Sequence, residues 1–210
     1  MPPVAQRSRG RRRSSFVELL LIVAVALGLA LGIQAVLVKP FRIPSTSMVP
    51  TLEVGQRVLV DRVSLRFSEP HTGDIVVFKP PAGADEPGGG KCGTADYDEA
   101  AEACPEPTEG ESDMNFIKRV VGEPGDELTV IDGIVNINGE PLDEPYVKGD
   151  VACGNCNLPD EITIPPDHFF MMGDNRGSSA DSRVWGPVPE DSIIGNAFVT
   201  YWPIDRIGGL

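Results

Sequence analysis

NFIKRVVGEPGDELTVIDGIVNING, residues 115–139, holds three short apolar runs divided by turn residues. The runs Asn115 to Val121, Glu127 to Ile131 and Gly133 to Ile137 are rich in valine and isoleucine and have strand length rather than helix length. Asp132-Gly133 between two of them is a tight hairpin signal, and Asn138-Gly139 marks a further turn. Outward from this stretch, the same pattern recurs at Arg57 to Val63, Asp74 to Lys79, His168 to Met172 and Ile193 to Trp202. Twenty prolines and twenty-three glycines argue against a helical bundle. The expected fold is mostly β, with local antiparallel pairing and no internal repeat.

The N-terminal end has a different character. Phe16 to Val38 is a twenty-three-residue apolar run interrupted only by Glu18 and Gln34, long enough to cross a hydrocarbon core of about 30 Å as a helix. Arg7, Arg9, Arg11, Arg12 and Arg13 precede it, whereas only Lys39 and Arg42 follow closely. That bias predicts a basic cytoplasmic tail over 1–15, a transmembrane helix over 16–38 and an extracytoplasmic domain over 41–210. A cleaved signal peptide is the rival, but the run is long for its apolar region and no small-x-small site follows it. Of 18 basic and 31 acidic residues, the first forty positions take six and one, which leaves the remainder at 12 against 30. Such an acidic domain is a poor partner for nucleic acid.

Between about 82 and 113 ten acids stand against the single base Lys91, with little apolar periodicity, so this segment is expected to be a mobile surface insert. Four cysteines form two close pairs, Cys92 with Cys104 and Cys153 with Cys156. In an exported domain oxidation is their default fate; three connectivities exist, and the short loops favour local pairing. A zinc site would need unusual spacing, and a redox CxxC would open a helix rather than lie among Gly, Asn and Pro.

Candidate chemistry starts at Ser47, in IPSTSMVPTL, residues 43–52. Nine residues past the apolar run, it lies within about 30 Å of chain from the membrane exit, so its substrate must come to it in or on the bilayer. A serine needs a base. The two histidines, His71 and His168, sit in a turn and at a strand start. Lysine can serve if burial strips water from its ammonium and lowers its pKa. Lys118 is the candidate, because strand alternation puts Phe116 and Val120 on its own face. A third block, Gly173 to Gly186, is dense in Asp, Asn, Ser and Arg, suited either to a hydrogen-bonded turn or to orienting a buried amine.

Taken in order, Pro44 to Leu52, Gly55 to Asp61, Lys118 to Asp126 and Gly173 to Gly186 resemble the bacterial type I signal peptidases, membrane-bound proteases with a Ser/Lys dyad. The resemblance implies a transmembrane helix followed by a domain of coiled antiparallel β-sheets. It implies Ser47 as nucleophile and Lys118 as general base, with Ser45 joining the Ser47 backbone N–H as the oxyanion hole. Ser179 would position the lysine amine, and Asp181 and Arg183 would support the loop. Phe41, Ile43, Met48, Leu52, Phe116 and Ile117 would line or flank pockets for small side chains. Gln56 stands where the family often has an acid and Phe116 where it often has tyrosine. No metal or cofactor is expected. The implied partners are preproteins with signal peptides, the lipid bilayer and the protein export machinery. Three other readings remain open: a thiol oxidoreductase built on Cys153 and Cys156, a non-enzymatic binding module, and a self-cleaving Ser/Lys repressor, whose DNA-binding domain has no counterpart here.

Overall fold

The computed structural model describes residues 11–85, 92, 104, 106–147 and 157–210. Two compact units divide the chain after Val38. The first is built on one helix, α1 (Arg11–Leu37), whose large apolar side chains from Phe16 to Leu29 remain 54–63% exposed. Among the described residues no helix is long and apolar enough to cross a membrane. The unbroken run of described side chains in α1 is residues 16–29, which covers only part of the span expected over 16–38.

The second unit is mostly β. Its strands are β1 (Val38–Arg42), β2 (Arg57–Asp61), β3 (Ile75–Phe78), β4 (Phe116–Gly122), β5 (Glu127–Ile131), β6 (Ile134–Ile137), β7 (Glu140–Pro141), β8 (Leu158–Thr163), β9 (His168–Met172), β10 (Val188–Pro189), β11 (Ile193–Trp202) and β12 (Gly208–Gly209). Eight of them form a sheet in the order β1-β2-β11-β3-β4-β9-β10, with β12 also on β11. The other four form a smaller sheet in the order β7-β6-β5-β8. Register shifts at Ile193/Gly195, Ala197/Val199 and Thr200/Trp202 in β11, and at Val120/Gly122 in β4, bend the large sheet. The β5-β6 hairpin turns at Asp132-Gly133, both at positive φ, as the tight turn requires.

β4 is the central element. Every residue from Ile117 to Gly122 is buried, because each face of the strand meets a different core. One face meets Ile43, Met48, Leu52, Val58 and Ile75 through Ile117. The other meets Val76, Phe78, Phe169 and Trp185 through Val120. Beyond the bulge, Val121 joins the core between the two sheets with Leu128, Ile164 and Phe170.

The acidic insert is expected to be a loose excursion, yet its described residues dock. Cys104 is bonded to Cys92, and its N–H donates to the Arg183 carbonyl at 2.6 Å. Ala84 and Ser112 are buried, and the Glu111 carboxylate takes Lys79 at 3.1 Å and the Ser192 hydroxyl at 3.0 Å. Opposite charge and small side chains let these ends pack despite the segment's acidity. Cys153 and Cys156 lie outside the described residues.

Candidate active site

The Ser47 turn is tied down by what flanks it. Met48 and Leu52 are fully buried plugs, each stabilising the turn by roughly 1.5–3 kcal/mol, and the Leu52 N–H closes back on the Met48 carbonyl at 2.8 Å. Neither Met48, expected beside the substrate pockets, nor Leu52, expected in their lining, is among the residues that line the cleft. One helical-type turn points both inward, beneath the cleft. Ser47 itself is 6% exposed, and its hydroxyl lies 3.3 Å from that of exposed Ser45.

A cleft of about 500 Å³ opens here, lined by Ser45, Ser47 and Lys118 together with Phe41, Ile43, Phe116 and Ile117. Four of the six apolar residues expected at the pockets therefore face it. Val77, Ala84, Met114 and Ala180 also contribute walls and were missed. Ala84 and Met114 come from the two ends of the insert, and nothing in local periodicity marks such long-range neighbours. His71 and His168 are not on this cleft: His71 pairs with Glu123 at 3.5 Å, and His168 Nδ1 lies 2.8 Å from the Pro166 carbonyl.

Lys118 is 3% exposed, with its amine 5.9 Å from the centre of the Phe116 ring. Burial lowers its pKa to about 8, against the opposing pull of Asp181 and Asp174, while Arg183 pushes the same way as burial. No hydrogen bond or ion pair to its amine occurs among the described residues. On the strand's edge, β3 pairs with Phe116 to Arg119 but β9 begins only opposite Arg119. Residues 116–118 thus have no β9 partner on the side away from β3, a position where an extended peptide can add.

The loop after β9 holds the Ser47 turn from the other side. The Asn175 N–H donates to the Ser47 carbonyl at 3.0 Å, and its amide group to the Thr46 carbonyl at 3.1 Å. Asp174 receives two hydrogen bonds from Arg119, at 2.9 and 2.7 Å, and one from Thr51 at 2.5 Å. One carboxylate therefore joins β4 to the Ser47 turn. Asp181 accepts from the Gly173 N–H at 3.0 Å and from Arg183 Nε and Nη2 at 2.8 Å each. Burial opposes its ionisation, but the Arg183 guanidinium outweighs that and holds its pKa down to about 2. Asp181 also caps the short helix α2 (Ser182–Trp185) through the Arg183 N–H at 3.3 Å. Ser179 packs on Gly173. A Cβ built on that glycine would lie 2.3 Å from Ser179 Oγ and 2.5 Å from the Ser47 carbonyl. The Ser179 hydroxyl donates to the Ala180 carbonyl, at 3.4 Å, rather than to Lys118.

A buried amine of lowered pKa and two hydroxyls on one cleft suit acyl transfer by a serine nucleophile. Residues 16–202 match the family described as signal peptidase, peptidase S26. The chain is 36% identical over its full length to a signal peptidase I of Leptolyngbya laminosa, covering 91% of that protein. It is 39% identical to a probable signal peptidase I-1 of Synechocystis over 90% of this chain and 84% of the relative. A crystal structure of a signal peptidase I from Enterococcus faecalis aligns with a TM-score of 0.38 at 24% identity, covering 61% of this chain and 97% of that one.

Proposed function

The chain belongs to the signal peptidase family, peptidase S26, and is a serine endopeptidase; from that premise we propose that it removes signal peptides from exported preproteins with a Ser47/Lys118 dyad. The observation that carries the assignment is that Ser47 and the buried Lys118 line one apolar cleft.

An amine with a pKa of about 8 is neutral in a useful fraction of molecules near physiological pH. It can take the Ser47 proton as Oγ attacks the scissile carbonyl, then return that proton to the leaving amine. The Ser47 N–H and the Ser45 hydroxyl would receive the oxyanion, where fixed donors stabilise developing charge better than water does. Asp181 and Arg183 neutralise each other and keep the loop in register without touching substrate. Ser179 acts on the lysine through its place beside Gly173. The peptide would lie along residues 116–118 with its small side chains against Phe41, Ile43, Phe116 and Ile117. The cut would fall after small-x-small sequences.

The anchor belongs to the same proposal. α1 is 27 residues, about 40 Å long, against a hydrocarbon core of about 30 Å. Its apolar stretch has no polar face, and arginines cluster on its N-terminal side alone. The enzyme would sit in the cell membrane with its N-terminus in the cytoplasm and its catalytic unit outside, beside the export machinery that delivers preproteins. The test is cleavage of a preprotein by the detergent-solubilised chain, with the cut located by mass spectrometry. Ser47→Ala and Lys118→Ala should each abolish the product while circular dichroism stays unchanged. Cleavage at the parent rate by either variant would sink the assignment.

A further inference from the structure

A short segment of the smaller sheet reaches two arginines of the candidate site. After β7, residues 142–147 turn back through a hydrogen bond from the Val147 N–H to the Glu144 carbonyl at 3.1 Å. Leu142 anchors the turn against the core between the sheets, and its N–H donates to the Val135 carbonyl at 2.9 Å. The segment then presents Tyr146 to β4 and Glu144 to the loop after β9. The Tyr146 ring lies over the Arg119 guanidinium, 3.9 Å from centre to carbon, at the face left open by that group's in-plane bonds to Asp174 and Gly73. Glu144 binds Arg176 Nη2 and accepts the Tyr146 hydroxyl at 3.0 Å. Arg176 in turn donates from Nε to the Gly173 carbonyl and from Nη1 to the Gly133 carbonyl.

We infer that Tyr146, set by Glu144, is a positioning residue for Ser47, acting through Arg119, Asp174 and Thr51. The route is continuous. A guanidinium whose edge is occupied by a carboxylate is still open at its faces, and an aromatic ring on one of them excludes water there and blocks tilting to that side. With the ring in place Arg119 cannot tilt to that side, so Asp174 stays where it binds Thr51, four residues past the nucleophile. Removing the ring lets the guanidinium rock toward water and carries Asp174 with it. Ser47 needs placement to a fraction of an ångström for attack, whereas the pockets proposed to hold the peptide are apolar walls of Phe41, Ile43, Phe116 and Ile117, whose side chains take no part in the hydrogen bonds of this route. The loss therefore falls on turnover rather than on substrate binding.

The inference rests on Ser47 being the nucleophile, and its test separates the two. Preprotein cleavage is measured with the full-length parent, Tyr146→Leu, Tyr146→Phe and Ser47→Ala. Tyr146→Leu should lower kcat at least tenfold with KM within twofold of the parent, and Tyr146→Phe, which keeps the ring, should retain more than half of kcat. A folded Leu variant with kcat within twofold of the parent, or a Phe variant as impaired as the Leu one, overturns the role of the ring. If Leu does not fold, Tyr146→Met fills the volume without an aromatic face and carries the same expectation. Activity persisting in Ser47→Ala would instead remove the premise, whatever Tyr146 does.

Discussion

Lys118 keeps an amine where water cannot reach it, and that placement has a cost with a definite sign. Its folded pKa of about 8 lies below the ordinary lysine value of 10.5, so below pH 8 the native state must carry a buried ammonium. The difference corresponds to about 3 kcal/mol, absent once pH rises above the unfolded value. Stability contributed by this residue therefore increases with pH from 8 toward 10.5. Lys118→Met, which keeps the volume and removes the charge, should be inactive yet at least as stable as the parent at pH 7 in urea denaturation, with the gap closing by pH 10. A large loss of stability at pH 7 would show that the amine is not buried in charged form. Activity of the parent has the matching profile: kcat/KM should fall about tenfold per pH unit below 8. The lysine was legible because a strand pattern set it between Phe116 and Val120. Ser47 was legible from its proline-bounded turn. The inward aim of Met48 and Leu52 was not, since a turn carries no periodicity to say which side chains face the core. The Arg119–Asp174 pair was expected from the resemblance and is present, whereas Thr51, Glu144 and Tyr146 were hidden, because their contacts join positions far apart in sequence.

β9 and the loop behind it show what a whole element contributes. The strand ends at Met172, and the next residue must let Ser179 and the Ser47 carbonyl approach its α-carbon within contact distance. Only glycine has no Cβ to lose there. Gly173→Ala should fold but push Ser179 and the Ser47 turn apart, reducing kcat by about a hundredfold, in line with the penalty for a misplacement near 1 Å. A rate near that of the parent would mean the loop yields freely. Asp181 secures the same loop from α2. Its lowered pKa contributes stability above the unfolded value of 3.8, lost as pH falls through about 2. Asp181→Asn would remove the buried carboxylate that accepts from Arg183 Nε and Nη2 and should cost about 3–5 kcal/mol in denaturant titrations at neutral pH; a cost under 1 kcal/mol would contradict the pairing. The sequence signals for β5, β6, β9 and β11 match the observed bounds to within a residue because apolar alternation and Gly turns frame them. β1, β7, β8, β10 and β12 went unread. β7, β10 and β12 are two residues long, and β8 has the pattern Leu-Pro-Asp-Glu-Ile-Thr, in which only Leu158 and Ile162 are buried. Such strands exist by pairing with a sheet already formed, which no local pattern announces.

At the scale of the molecule, the proposed membrane anchoring rests on how charge and hydropathy are distributed. Five arginines lie within the first thirteen residues, while the residues after the first forty carry 12 basic and 30 acidic side chains. In the proposed orientation this asymmetry would retain the N-terminus on the cytoplasmic side, since Lys and Arg near a span resist export whereas acids contribute little to orientation. Under that proposal the catalytic unit would emerge on the face where preproteins arrive. If this orientation holds, protease added to intact spheroplasts should degrade the part of the chain beyond Val38. In inverted membrane vesicles the same part should be protected, leaving only the basic tail open to cleavage. Alkaline carbonate should leave the chain with the membrane fraction in both preparations. Release by carbonate would remove the anchor, and digestion confined to inverted vesicles would reverse the topology; either result would separate the cleft from the preproteins it is proposed to cut.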